Sequence, residues 1–188
     1  MLKRGVERKE IVRALGEVFR AHGYEGASLT LITEATGLGK GSLYHLFPGG
    51  KEQMASEVLA EIDAWFELNI YSPLREASDS ARAIAAMIAG VDEYFHSGDR
   101  ICLVGLVALG ASRDTFAASV DGYFARWQVA LAAVLRRSGL SKGQAQRRAE
   151  DALLTIQGAL VLARARSDAG IFRRAMSDLT KRLLAPAE

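Results

Sequence analysis

Cysteine and proline are scarce in this 188-residue chain. Cys102 is its single cysteine, and one cysteine cannot form an internal disulfide, so nothing indicates an oxidising compartment. Only three prolines occur, and the long stretches between them are rich in Ala, Leu, Arg and Glu, which favour helices. No segment alternates apolar and polar residues over a useful length, so no strand is expected. The sequence therefore predicts an all-α protein.

Long apolar runs are missing as well. The longest, Ile101–Ala111, is about half of the roughly 20 residues that a membrane-spanning helix needs. The N-terminal Met-Leu-Lys-Arg-Gly leads into a charged segment rather than the apolar core of a signal peptide. We therefore expect a cytoplasmic protein that makes no membrane contact.

Motifs of catalysis and metal binding are also lacking. The three histidines, His22, His45 and His96, lie on separate predicted helices. The sequence contains no HExxH, CxxC, GxSxG or P-loop pattern. We expect no enzyme activity, no metal site and no cofactor.

A strong excess of one charge is absent too, since the formal net charge is +2. Residues 1–51 contain eight basic and five acidic residues, whereas the remainder contains 16 basic and 17 acidic residues. The N-terminal part is thus where a polyanion would bind, although a solvated helix face gives similar numbers.

The most informative pattern that is present lies in residues 28–47. Two short predicted helices are separated here by Gly37-Leu38-Gly39. On the second helix Leu43 and Phe47 are four residues apart and share an inward face, which turns the polar residues beside them outward. A short helix with polar residues behind a tight glycine turn is typical of a helix-turn-helix DNA-binding motif.

Residues 11–52 as a whole resemble the DNA-binding domain of the TetR (tetracycline-repressor) family. The matching residues are Ile11, Ala14, Phe19, Gly23-Tyr24, Ser28, Ile32, Gly37, Lys40–His45, Phe47 and Lys51-Glu52. The string Phe47–Glu52 is similar to that of the LmrA/YxaF-like subgroup of small-molecule-sensing repressors. Two departures are Gly39, where the family often has a capping serine, and Leu46, where a histidine is frequent.

The resemblance implies a division of the chain into three parts. Residues 1–49 form a three-helix DNA-binding domain, residues 50–71 a linking helix, and residues 72–188 an all-helical ligand-binding and dimerisation domain. The implied DNA-binding residues are Ser28, Thr30, Lys40, Gly41, Ser42, Tyr44, His45 and Lys51. Lys51 would bind a phosphate at the N-terminus of the linking helix.

Aromatic and soft apolar residues come from five predicted helices and allow two interpretations. They line a cavity for a flat, largely apolar ligand, or they simply form the core. They are Trp65, Phe66, Met87, Tyr94, Phe95, Cys102, Leu106, Phe116, Tyr123 and Trp127. The resemblance favours the cavity, with Tyr94 or Tyr123 as its polar group.

The last two predicted helices are broadly apolar, which fits either burial against a second copy or an intramolecular core. The resemblance implies a four-helix interface between two copies. Its expected contact residues are Leu153, Ile156, Leu160, Ala163, Phe172 and Met176.

The sequence therefore predicts a ligand-responsive repressor, a homodimer that binds a palindromic double-stranded DNA operator and is released by a small apolar or aromatic effector. Two alternatives stay open: an effector-independent DNA-binding or architectural protein, and an all-helical interaction module without DNA binding. The basic residues Lys3, Arg4, Arg8 and Lys9 form either an arm on DNA phosphates or a solvated N-terminus.

Overall fold

A computed structural model describes residues 8–186, and all regular secondary structure in that range is helical. Short 3-10 turns occupy His96–Gly98 and Ala111–Arg113. The α-helices are α1 (Arg8–Gly26), α2 (Leu29–Thr36), α3 (Lys40–Leu46), α4 (Gly50–Phe66), α5 (Ser72–Glu76), α6 (Ser80–Tyr94), α7 (Leu103–Leu109), α8 (Ala117–Arg137), α9 (Lys142–Arg166) and α10 (Ala169–Leu184). The all-α prediction is confirmed. No helix among the described residues is long and apolar enough to cross a bilayer.

The chain divides into two compact units. The first runs to Asp63 and also contains Leu103–Val120, and the second contains Ala64–Cys102 and the residues from Asp121 onward. This division by contacts differs from the predicted boundaries at residues 49 and 71, because the segment that contains α7 packs with α1.

The first unit is held together by apolar side chains from its short helices. Leu15 and Phe19 lie on one stripe of α1 and are buried, as their spacing predicts. Ile32, Leu43 and Phe47 are fully buried beside them. Since a helix of seven or eight residues is marginal on its own, this burial is what stabilises α2 and α3.

The predicted linking helix differs from the observed one at its C-terminal end. Helix α4 ends at Phe66 and continues as a π-helical turn, Glu67–Tyr71, which leads directly into α5. Pro73 lies in the first turn of α5, directly after the π-helical turn. The carboxylate of Glu67 accepts hydrogen bonds from Ser72 Oγ and from the Arg75 guanidinium across this junction.

The longest apolar run of the sequence, Ile101–Ala111, is only partly buried. Helix α7 within it buries Leu103, Val104 and Val107 and leaves Leu109 86% exposed. Two of the residues assigned to the ligand cavity, Leu106 and Phe116, belong to the first unit.

The second unit contains α9 and α10, and it requires a correction to the predicted dimer contacts. Within the single chain the side chains of the expected contact residues are all buried and leave little surface for a second copy. These residues are Leu153, Ile156, Leu160, Ala163, Phe172 and Met176. The exposed apolar residues of α9 are instead Leu154, Val161 and Leu162, with Gly158 between them. An apolar run on both faces of a helix does not show which face is the core.

Candidate nucleic-acid interface

Ser28 begins α2 as its N-cap residue. Its backbone is extended, and its Oγ accepts a hydrogen bond from the backbone N–H of Leu31 at 3.3 Å. This bond satisfies one of the N–H groups that a helix start leaves unpaired. Ser28 and Thr30 are both exposed, so the first turn of α2 presents two hydroxyl groups to solvent.

The turn between α2 and α3 depends on glycine at one position. Gly37 adopts the left-handed conformation with φ 66°, and its N–H donates to the carbonyl of Thr33. Most other residues are strained there. Gly39 is the N-cap of α3 and makes no side-chain cap, as expected from the missing serine. The first N–H groups of α3 therefore receive no side-chain cap from Gly39.

Helix α3 separates its residues by face. Leu43 and the following Phe47 are fully buried, as predicted. On the other side Lys40, Gly41 and His45 are exposed, Ser42 is half-buried, and Tyr44 is 47% exposed. Apart from the adjacent backbone of its own helix, no atom of the described residues lies within 4 Å of the position that a Cβ would take at Gly41, so the outer surface of the helix is open there. The structure thus brings the predicted recognition residues of α3 onto one solvent-facing side.

Lys51 is the predicted DNA-binding residue whose side chain is already engaged. Its Nζ lies 4.7 Å above the ring of Tyr24 and donates to the carbonyl oxygen of Glu25 at 3.4 Å. Burial of the ring, followed by the charges of Glu52 and Glu25, raises the pKa of Tyr24 above its ordinary value. Lys51 is therefore held by the C-terminal end of α1.

The same end of α1 contacts the segment that follows α7. The Glu25 carboxylate accepts the backbone N–H of Ser112 at 2.8 Å, and the ring of Tyr24 meets Phe116 edge-on at 5.1 Å. The pKa of the Glu25 carboxyl is lowered, mainly because the backbone N–H of Glu25 itself donates to it. Burial acts in the opposite direction, whereas the bonds from Ser112 and the charge of Lys51 lower the pKa further. Phe116, expected in a ligand cavity, thus packs on the DNA-binding helices.

Arg8 is a residue whose role the sequence left open. Its guanidinium forms a bidentate ion pair with Glu57 on α4, with N–O distances of 2.6 and 3.0 Å. It also donates twice to the carbonyl of Leu46, at 3.2 Å each, and lies 4.6 Å above the ring of Phe47. Arg8 therefore contacts the C-terminal end of α3. Lys9 is exposed, and Lys3 and Arg4 lie outside the described residues.

Most of the residues predicted to bind a ligand lie in the second unit, where they form an aromatic cluster. Phe66 is at its centre, with ring centroids of Tyr94 and Tyr123 at 4.8 Å and of Trp127 at 5.2 Å. Phe95 and Met87 are buried beside them, and Trp65 is half-buried, 4.5 Å from Tyr94.

Two polar groups inside this cluster are poorly satisfied. The hydroxyl of Tyr123 is buried and, within residues 8–186, has no hydrogen-bond partner beyond the neighbouring thiol of Cys102. Burial first, and then nearby Cys102 and Tyr71, raise the pKa of Tyr123 well above its ordinary value, which keeps the hydroxyl protonated. Trp127 Nε1 donates only to the sulfur of Met87, at 3.5 Å, a weak acceptor.

Comparison with known proteins places this geometry in a class of DNA-binding regulators. Residues 11–58 match the model of the bacterial regulatory proteins of the tetR family. Residues 80–178, just over half of the chain, match the C-terminal domain of LmrA/YxaF-like transcriptional regulators. The chain belongs to the TetR family of transcriptional regulators, in its LmrA/YxaF-like group, and this family consists of DNA-binding regulators rather than enzymes.

Curated relatives span nearly the whole chain. The HTH-type transcriptional regulator LmrA of Bacillus subtilis is 29% identical over 84% of this chain and 86% of its own length. YxaF of the same organism, named as an uncharacterized HTH-type transcriptional regulator, is 28% identical over 89% of this chain and 90% of its own length.

Solved structures share the fold. A TetR-family regulator from Agrobacterium tumefaciens superposes with a TM-score of 0.79 at 23% identity, covering 94% of this chain and 97% of that one. The TetR-family regulator CifR, in a cysteine mutant complexed with 26-base-pair double-strand operator DNA, gives a TM-score of 0.72 at 25% identity, covering 93% and 97%.

Proposed function

We propose that this regulator represses transcription by binding a palindromic operator as a homodimer and that a small, largely apolar effector releases it. The observation that supports the DNA part is the division of α3 into a buried side, fixed by Leu43 and Phe47, and an exposed polar side. A helix fixed in this way presents side chains to the major groove in a defined orientation.

Within this proposal the exposed residues have distinct roles. Lys40 contacts a phosphate, Tyr44 donates its hydroxyl to a phosphate, and Ser42 and His45 contact base edges. Gly41 lets the backbone approach DNA, while Ser28 and Thr30 contact the flanking phosphates from α2. Lys51 joins this set when its Nζ leaves the ring of Tyr24.

A second copy is proposed to dock on the outer face of α9. Leu154, Val161 and Leu162 are 67%, 60% and 53% exposed, and their spacing puts them on one side of the helix. Apart from the adjacent backbone of α9, no atom in the described part of the chain lies within 4 Å of a Cβ built at Gly158 in the middle of this face, so the backbone of a partner helix can approach closely there. These residues form a contiguous exposed apolar patch, which is typical of an interaction site, whereas single exposed apolar residues are common on any surface. This face replaces the buried residues named from the sequence.

The aromatic cluster around Phe66 is the proposed effector site. The hydroxyl of Tyr123 and the indole N–H of Trp127 are donors without strong acceptors. A ligand with a hydrogen-bond acceptor gains binding free energy when it pairs with these donors. The cluster borders the π-helical turn at Glu67–Tyr71, and such turns occur often at functional sites. A coupling of about 1–3 kcal/mol between effector and operator gives a change of roughly 5–150-fold in affinity.

The test begins with DNA selected by the wild-type protein from a random double-stranded pool. Its affinity is measured by fluorescence anisotropy over a salt series, with and without small aromatic compounds that raise the melting temperature of the protein. Specific binding that such a compound weakens supports the proposal. Specific binding that no stabilising compound weakens favours an effector-independent protein, and failure to select any sequence contradicts the DNA part.

A further inference from the structure

Helix α3 has little to hold it in place by itself. It has seven residues, starts at Gly39 without a side-chain cap, and ends at Leu46. Helices of this length are unstable alone, and their last carbonyl groups lack partners inside the helix. Leu43 and Phe47 anchor its apolar side, but apolar packing is not directional. A directional contact is needed to fix how far the helix is rotated and how it is tilted.

Arg8 supplies that contact at the C-terminal end of α3. Nη1 and Nη2 both donate to the carbonyl of Leu46 at 3.2 Å, where a positive charge also interacts favourably with the end of the helix dipole. The guanidinium lies 4.6 Å above the ring of Phe47, so it covers the residue that anchors the same end.

The guanidinium is fixed in turn by α4. Glu57 accepts from Nε at 3.0 Å and from Nη2 at 2.6 Å, the paired geometry that defines orientation as well as charge. Gln53 donates to the same carboxylate at 2.9 Å, and its own oxygen accepts the N–H of Gly49 at 2.8 Å. One connected set of bonds, the Arg8 network (Arg8, Leu46, Gly49, Gln53 and Glu57), therefore joins α1, the end of α3, the following turn and α4.

We propose that Arg8 is a positioning residue for sequence readout: it fixes the orientation of α3 without touching DNA. Three of its side-chain nitrogens are already used inside the protein, so it does not act as part of an arm on phosphates. The proposal rests on α3 being the DNA-reading helix. It follows that removing Arg8 weakens specific binding more than non-specific binding, because only base-edge contacts depend on the exact placement of α3.

The chain offers a matched control. Arg13 on α1 pairs with Glu61 on α4 at 3.6 Å, the same type of pair between the same two helices. Among the described residues, the ion pair of Arg13 is with Glu61 and does not involve α3. Comparing Arg8→Met with Arg13→Met therefore separates the contact to α3 from the general effect of losing an ion pair between α1 and α4.

The experiment measures affinity for DNA selected by the wild-type protein and for poly(dI-dC), over a salt series, in the wild type and both variants. We expect Arg8→Met to weaken specific binding by about tenfold or more and non-specific binding by less than about threefold. The slope of log affinity against log salt should stay unchanged, whereas loss of a phosphate contact lowers it by about one. Arg13→Met should bind like the wild type, and Arg8→Lys, which keeps charge but not the paired geometry, should lie between.

Hydrogen exchange of the free protein tests the same idea without DNA. The amides of Leu43–Phe47 should exchange about tenfold faster in Arg8→Met than in Arg13→Met, since local opening of α3 becomes easier. Unchanged exchange, specific binding within about twofold of the wild type, or a salt slope lowered by about one in Arg8→Met would each overturn the proposal. If the wild type selects no DNA, the proposed function fails, and the exchange measurement still decides whether Arg8 holds α3.

Discussion

The carboxylate of Glu25 accepts the backbone N–H of Ser112, a residue 87 positions further along the chain, at 2.8 Å. The bond joins the end of α1 to the 3-10 turn that follows α7, within the first unit. Ser112 is buried, so its N–H has no easy access to water when the acceptor is removed. The sequence-distant segment after α7 is thus tied to the helices that carry the DNA-binding motif.

Replacing Glu25 by Ala should lower the free energy of unfolding by about 1 kcal/mol, the usual cost of leaving a buried N–H unpaired. Because the pKa of Glu25 is lowered in the folded state, its contribution is present above the ordinary glutamate pKa and is lost as pH falls through the lowered value. Urea unfolding of wild type and variant at several pH values measures the difference. A difference that grows on acidification contradicts this sign.

The pair of Arg8 and Glu57 makes a similar prediction. Burial pushes the pKa of Glu57 up, but hydrogen bonds from Arg8 and Gln53 and the charge of Arg8 bring it below its usual range. The stabilisation lost in Glu57→Gln should thus be largest at neutral pH and should vanish as pH falls through the lowered pKa. Since the pair is partly exposed, we expect less than about 1 kcal/mol in thermal or urea unfolding. A loss that is the same at pH 7 and in acid would rule out the charge as its cause.

Tyr44 and Tyr71 give a matched pair of hydroxyl deletions. Tyr44 is 47% exposed on α3, whereas the buried hydroxyl of Tyr71 donates to the carbonyl of Tyr123 at 3.0 Å. Tyr44→Phe should weaken operator binding about three- to tenfold through loss of one phosphate hydrogen bond and leave stability unchanged. Tyr71→Phe should do the reverse, lowering unfolding free energy by about 1 kcal/mol with operator binding intact. If both changes affect DNA binding equally, the prediction that Tyr44 contacts DNA is wrong.

The outer face of α9 is tested by a charge placed on it. Val161→Glu should convert a dimer to a monomer in sedimentation experiments, because an unpaired carboxylate is costly to bury between apolar helices. Leu68→Glu is the control, since Leu68 is 73% exposed but lies on the π-helical turn away from α9 in sequence. A dimer that survives Val161→Glu and dissociates with Leu68→Glu would place the interface elsewhere.

The local parts of the fold could be predicted because their signals are short-range. The inward face that the spacing of Leu43 and Phe47 predicted is confirmed, and the Ser28 cap and the left-handed Gly37 likewise involve only neighbouring residues. Ser141 also caps α9, with Gln144 completing the capping box. These features depend on backbone conformation, which adjacent residues largely determine.

The remaining features depend on contacts between distant residues. Arg8 meets Leu46 and Glu57, which are 38 and 49 positions away, and no local pattern indicates such a pairing. Similarly, Leu153 and Leu154 are adjacent and equally apolar, yet one is buried and the other is 67% exposed. Which side of α9 is the core depends on how α10 packs against it, and the sequence of α9 alone does not contain that information.

The central claim is that two copies of α3 read two half-sites of one operator. Hydroxyl-radical footprinting of the wild-type protein on its selected DNA tests this most directly. We predict two equivalent protected regions related by two-fold symmetry, with centres about one helical turn (~34 Å) or a multiple of it apart. A single protected half-site, or uniform protection that does not depend on sequence, would contradict the account.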